Sequence, residues 1–202
     1  MSLDWQYEIS LRENETLVCG CDEAGRGPLA GPVVAAAVIL PDGLYIEGLD
    51  DSKKLSDKKR EALYNVIREN CVDCAIGHAE VYEREKYNIL NASMLAMKRA
   101  VAKLKTCPEL ALIDGNIARE FDIRAIPVIK GDSKCPSIAA ASVLAKVTRD
   151  RMMDEAEKIY GGYGLGKHKG YATKAHREAL ISLGVSPVHR PSFLKKLLGG
   201  ER

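Results

Sequence analysis

Three apolar runs in this chain end on carboxylates close to glycine. They are "VCGCDEAG", with Asp22 and Glu23, "LIDGN", with Asp114, and "IKGD", with Asp132. A buried strand gains nothing by ending on charged oxygen. In open α/β sheets, however, ligands gather at the carboxyl ends of strands. Carboxylates brought together there repel one another unless cations lie between them. Oxygen-only coordination suits Mg2+ or Mn2+ and disfavours Zn2+. Two such ions about 4 Å apart are the usual device for in-line attack of water on a phosphodiester. One strand-end Asp reads as a turn or cap residue. Three that coincide read as a metal site.

Directly after the first acids comes Gly25-Arg26-Gly27-Pro28, a loop with little bulk. Glycine there lets another molecule approach the backbone closely. Basic residues are spread unevenly. From Gly161 to Arg202 eight Lys and Arg face two Glu, a charge of +6, so a total of +2 leaves −4 for Met1–Tyr160. A basic end on a mildly acidic body fits a surface that meets phosphates, and it equally fits a solvated helical face.

The elements that must position these residues can be read from periodicity and punctuation. Leu17–Asp22 and Val33–Leu40 read as buried strands, and the turn Pro41-Asp42-Gly43 closes the second of them. Leu44–Ile46 reads as a third, short strand. Ser56 caps a helix over Asp57–Asn70 with Leu63, Val66 and Ile67 on one face, and Asp73–Ala79 fits a strand. Leu90, Met94, Met97, Val101 and Leu104 sit at helical spacing within Ile89–Leu104, as core residues. Leu110–Ile113 and Ala125–Lys130 are short strands. Pro136 opens an Ala-rich helix to about Tyr160, and helices over Lys174–Leu183 and Pro191–Leu198 come after a glycine-rich loop. This order predicts a mixed α/β sheet with a small helical C-terminal appendage. A catalytic domain over 1–160 and an appendage over 161–202 would form one folding unit.

Composition excludes several classes. Hydrophobic content of 46% with 29% charged residues describes a folded globular chain. The longest apolar run is too short to span a bilayer, and no secretory leader is present, so no membrane association is expected. The cysteines at 19, 21, 71, 74, 107 and 135 then read as reduced thiols in the cytoplasm, with Cys71 and Cys74 as buried thiols at a helix–strand junction. "GGYGLGKH" approaches a P-loop, but His168 stands where Ser or Thr would ligate Mg2+, and no strand precedes it.

Six blocks in order resemble type 2 ribonuclease H (ribonuclease HII): "DEAGRGPLAGPVVAAAV", "DDSKKLS", "LIDGN", "KGDSK", "SIAAASVLAKVTRDR" and "GYGLGKHKGYATKAH". The resemblance runs from about Val18 to Phe193. Sixteen residues precede Leu17, which fits this type better than ribonuclease HIII with its additional N-terminal domain. It implies a ribonuclease H-like mixed five-stranded sheet flanked by helices. It also implies a metal-dependent endonuclease that uses two Mg2+ or Mn2+ ions. The substrates implied are the RNA strand of RNA/DNA hybrids and single ribonucleotides embedded in duplex DNA, cut on their 5′ side to leave 3′-hydroxyl and 5′-phosphate ends.

The family's metal-binding acids fall on Asp22, Glu23, Asp114 and Asp132, and its Gly-Arg-Gly element on Gly25, Arg26 and Gly27. In the family that loop contacts the 2′-hydroxyl, the group that separates RNA from DNA. The tyrosine that senses the RNA-to-DNA junction falls on Tyr171. Phosphate contacts are expected from Lys53, Lys54, Lys134, Lys146, Arg149, Lys167, His168 and Lys169. A monomer is expected. The end "SFLKKLLGGER" suits either a packed terminal helix or docking to a sliding clamp. Other readings are a polynucleotidyl transferase on the same fold, or a non-catalytic nucleic-acid-binding module.

Overall fold

In the computed structural model, which describes residues 3–195, strands β1 (Val18–Ala24) and β2 (Val33–Ile39) form an antiparallel pair. β2 pairs antiparallel with β3 (Asp73–Ala79), while β1 pairs in parallel with β4 (Leu110–Asp114), and β4 with β5 (Arg124–Val128). The order is β3-β2-β1-β4-β5, a mixed five-stranded sheet. β1 is therefore central, and it carries the first pair of acids.

Strand alternation divides the core. Val33, Ala35, Ala37 and Ile39 pack toward α3 (Val81–Ala102) with Ala96, Met97 and Ala100. Ala36 and Val38 pack toward α2 (Asp57–Asn70) and α4 (Pro136–Ile159) with Ile67, Ala140, Ala141 and Leu144. Alanine on both faces of β2 lets the helices sit close. Gly20 of β1 is closer still: a Cβ there would lie 2.3 Å from the backbone of Ser137 and Ile138. A third cluster joins Leu29, Ala30 and Met153 to Tyr163, Leu165, Leu180 and Leu194. It packs α5 (Leu165–His168), α6 (Lys174–Leu183) and α7 (Pro191–Leu194) onto the end of α4.

Several expectations change. β1 continues through Asp22 and Glu23, because β2 goes on pairing with them after β4 has parted company at Cys21. Leu44–Ile46 is not a strand; the Leu44 carbonyl accepts from the Trp5 indole at 2.9 Å, and Trp5 belongs to an unforeseen helix, α1 (Trp5–Ser10). Val66 is exposed, whereas Leu63 and Ile67 are buried. α3 starts at Val81 behind a Glu80/Glu83 capping box, then breaks at Asn88 (φ 67°). The Asn88 side chain caps the second segment by accepting from Leu90 and Asn91. Cys71 and Cys74 are half-buried, and contact with Cys71 holds the Cys74 thiol down at about 7. The last helix is described to Leu194; its expected continuation to Leu198 and the clamp-docking residues of 196–202 lie outside the described residues.

Gly20→Ala should destabilise the protein by about 3 kcal/mol, since backbone has to move to admit the methyl. Urea unfolding measures this. An unchanged midpoint would show that the β1–α4 contact is looser than described.

Candidate functional site

Asp22, Asp114 and Asp132 each offer a carboxylate oxygen such that all three atoms lie within 4.8 Å of one another. Each arrives from a different element. Asp22 sits near the end of β1, Asp114 ends β4, and Asp132 lies in a 3-10 turn, Gly131–Ser133, after β5. Lys130 adopts a left-handed conformation (φ 56°) to turn the chain back. Gly131 follows with little room for a side chain, since a Cβ would meet the end of the Ile138 side chain at 2.5 Å and the Asp114 carboxylate at 3.3 Å. Asp114 Oδ1 accepts from the amides of Gly131 (2.7 Å) and Asp132 (3.4 Å), so the turn orients it. Asp22 Oδ1 accepts from the Glu23 amide at 2.7 Å. Ser142, bonded to Ser52 at 2.7 Å, also reaches Asp22. Lys53 Nζ stands 3.2 Å from Asp132 Oδ2.

Glu23 is the outlier among the expected ligands. Its side chain turns to Arg26, at 3.3 Å, and lies outside the three-carboxylate group.

The trio is electrostatically uncomfortable. Burial, then the charges of Glu23 and Asp114, push the Asp22 carboxyl well above the usual range. Asp114 is raised by burial and by Asp132, and Glu23 by burial in spite of Arg26. Carboxylates such as Asp22 and Asp114, held back from ionising on their own, fit a divalent cation, which favours their charged form.

Beside the trio the Gly25-Arg26-Gly27 loop divides into two cases. Gly25 (φ 99°) is glycine for an internal reason: a Cβ would lie 2.1 Å from the Arg149 guanidinium. Gly27 faces open space, and the nearest atom to a methyl placed on it would be Tyr171 Cε1, 4.0 Å away. Among the described residues, the amides of Arg26 and Gly27 donate to no protein atom. Tyr171 is half exposed, at 48%.

The expected phosphate contacts are not alike. Lys53, Lys54 and Lys167 are exposed, although Lys53 leans on Asp132 and Lys54 on Asp50. Lys134 lies over the Tyr7 ring, Lys146 pairs with Asp150, and Lys169 pairs with Asp154. Arg149 corrects the expectation: it is 1% exposed and donates to the carbonyls of Ala30, Pro32 and Lys169. His168 is half-buried and already engaged, with its ring nitrogens on Tyr163 and Gly170 and its face on His176. The glycine loop cannot cradle phosphate either, because Glu157 already accepts from the amides of Gly162, Gly164 and Leu165.

Sequence reasoning missed Arg190, His176 and His189, all buried. His176 Nδ1 meets the Tyr171 carbonyl at 2.9 Å, and its Nε2 meets His189 Nε2 at 3.0 Å. Burial, then His176, lowers His189 to about 4, so both rings are neutral at pH 7. The run "PVHRPS" held the only hint, a His-Arg pair between prolines.

A mixed five-stranded sheet with carboxylates gathered where its parallel strands end describes a ribonuclease H-like, metal-dependent nuclease. The family model of ribonuclease HII matches residues 19–196, and the chain belongs to that family. It is a ribonuclease that cleaves RNA in RNA/DNA hybrids. Ribonuclease H2 from Pyrococcus horikoshii OT3 is similar at 25% identity and TM-score 0.75, over 90% of this chain and 97% of that one. Ribonuclease HII of Archaeoglobus fulgidus, solved with PCNA, shares 29% identity at TM-score 0.72, over 86% and 93%. Bst-RNase HIII in complex with Mn2+ has the same fold, at 21% identity and TM-score 0.67, over 91% and 69%.

In metal-free buffer at pH 8, Asp22→Asn should be more stable than wild type by about 1–2 kcal/mol, because a neutral amide replaces a buried charge. The sign comes from the raised carboxyl. Its folded form holds a proton that the unfolded chain has lost above about 3.8, so the wild-type deficit grows as pH rises from there and closes below it. Mn2+ should raise the wild-type melting midpoint and barely move the variant's. A metal-free wild type that outlasts Asp22→Asn at pH 8 would contradict this electrostatic account.

Proposed function

We propose that this enzyme incises duplex DNA on the 5′ side of an embedded ribonucleotide, as well as cutting longer hybrids, by two-metal-ion catalysis. The observation that carries the reading is the adjacency of two features. Three carboxylates converge within 4.8 Å, and the amides of Arg26 and Gly27, without partners among the described residues, lie on the loop that continues β1 beyond Asp22 and Glu23.

By the family resemblance, Asp22 would be shared by two ions, Asp132 would help hold one, and Asp114 with Glu23 the other. Such a pair, when bound, would supply a water nucleophile at neutral pH and offset charge on the leaving oxygen. The protein's part is positioning. Gly131 and Asp132 amides hold Asp114, and Ser142 and the Glu23 amide hold Asp22, so little reorganises as charge develops. Lys53 beside Asp132 stands where it could meet the scissile strand's phosphate. Glu23 is held off the trio by Arg26, which leaves its backbone carbonyl as the group closest in role to a ligand.

The sugar would lie against Gly27, whose missing side chain leaves room for it, with the loop amides directed at the 2′-hydroxyl. The Tyr171 ring near Gly27 would stack on the adjoining deoxyribose, where a second 2′-hydroxyl fits poorly. The helical appendage over 161–202 carries this ring and would serve as the substrate-binding part.

Product mapping on a duplex with one ribonucleotide tests the reading: a single Mg2+- or Mn2+-dependent cut on its 5′ side, with 3′-hydroxyl and 5′-phosphate ends, is expected. Asp114→Asn should fold normally and cleave at least about a thousandfold more slowly. Ordinary turnover by a well-folded Asp114→Asn protein would remove Asp114 from the site. Tyr171→Ala should weaken the preference for a single ribonucleotide over an all-RNA hybrid more than it weakens duplex binding. Equal losses on both substrates and in binding would count against the stacking role.

A further inference from the structure

Arg190 is completely buried, yet it sits in the segment that composition marked as basic surface. Among the described residues, its guanidinium has no carboxylate bonded to it. Instead Nη1 donates to the carbonyls of Arg26 (3.1 Å) and Pro28 (2.9 Å), and Nη2 to those of Gly25 (2.7 Å) and Gly31 (2.6 Å). Nε donates to Gly31 as well, at 2.8 Å. Arg149 does the same next door, with the carbonyls of Ala30, Pro32 and Lys169. Two buried cations thus share one short loop.

A buried charge is expensive, and here it is offset mainly by carbonyl dipoles, with the Phe193 ring face 5.9 Å away and the charge of Glu85 adding to them. Burial, then the proximity of Arg149, brings the Arg190 pKa down to about 9. A fold needing only adhesion at this spot would use apolar residues, as the adjoining cluster of Leu29, Met153 and Leu165 does. What an arginine fork adds is direction. Its donors lie in one rigid plane, so they dictate where each carbonyl points. With the carbonyls of Gly25, Arg26 and Pro28 drawn inward, the peptide edges between them turn their N–H groups the other way. The amides of Arg26 and Gly27 are the ones that result, and they find no partner among the described residues.

We propose that Arg190, supported by Arg149, is a positioning residue for the reaction: it shapes the Gly25-Arg26-Gly27 loop so that two backbone amides face the ribose of the substrate. This rests on the reading that the loop contacts the sugar. Arg190 itself touches no substrate. It also ties the loop to Tyr171's segment, because Leu29 donates to the Gly170 carbonyl at 2.8 Å and Arg190 donates its own amide to Leu29 at 2.8 Å.

A double-mutant cycle separates positioning from mere stability. The variants are Gly27→Ala, Arg190→Lys and the pair, with kcat and KM measured on a duplex containing one ribonucleotide and folding followed by circular dichroism. Lys retains the charge and loses the fork. Arg190→Lys alone should lower kcat by about tenfold with KM little changed, as for an interaction made in the transition state. In the Gly27→Ala background the same change should cost less than about twofold, because the sugar no longer reaches the loop that Arg190 shapes. Multiplicative losses, or no loss from Arg190→Lys, would overturn the inference while leaving the loop reading intact. An inert Gly27→Ala would instead overturn the loop reading and the inference with it. If Arg190→Lys does not fold, Arg149→Lys replaces it with the same expectation. Failure of both to fold would show them to be structural only, and would overturn the proposal.

Discussion

Mutual repulsion among Asp22, Asp114 and Asp132 is the constraint around which this structure is arranged. Three carboxylate oxygens within 4.8 Å, two of the side chains nearly buried, are unfavourable in a bare protein. The sheet tolerates them because its parallel ladder ends there. β4 stops pairing with β1 at Cys21, one residue short of Asp22, while β2 goes on pairing with Asp22 and Glu23. The amides of Glu23, Gly131 and Asp132 and the hydroxyl of Ser142 hold the oxygens in place, and a divalent cation completes the balance.

Next along the chain from Asp22 and Glu23 the protein carries an unfavourable arrangement of the opposite sign. Arg149 and Arg190 are buried cations braced by carbonyls, and the loop they brace is the continuation of β1. Asp22, Glu23 and the braced loop thus belong to a single continuous segment, Asp22 to Pro32. A shift in the loop would move the unpartnered amides of Arg26 and Gly27 relative to Asp22. This coupling gives a physical reason for the internal packing of His168, His176 and His189, which ties Tyr171 to the same framework without adding buried charge at His176 and His189 at neutral pH.

The metal site was legible in the sequence because strand-end acids leave a pattern: an apolar run, a carboxylate and a nearby glycine. The sheet and the long helices were legible for the same reason, since their periodicity is local. What was hidden depends on partners distant in the chain. Arg149 and Arg190 read as surface because charged residues usually are, and nothing nearby discloses the carbonyls of Ala30 or Gly25. Gly25 looked like room for a ligand but is room for Arg149, and only Gly27 of the two faces outward. The first turns of α3 lacked an apolar stripe and begin with a capping box formed by two Glu, and Leu44–Ile46 is drawn out of a strand by Trp5, 39 residues away.

The central claim is that the three carboxylates together form the seat of a divalent cation, and diffraction from a crystal soaked in Mn2+ tests it most directly. The account predicts anomalous density at the carboxylate cluster, with an oxygen of Asp22 in its coordination sphere beside an oxygen of Asp114 or of Asp132. Carboxylates still splayed around water alone at saturating Mn2+, with density elsewhere or nowhere, would contradict it.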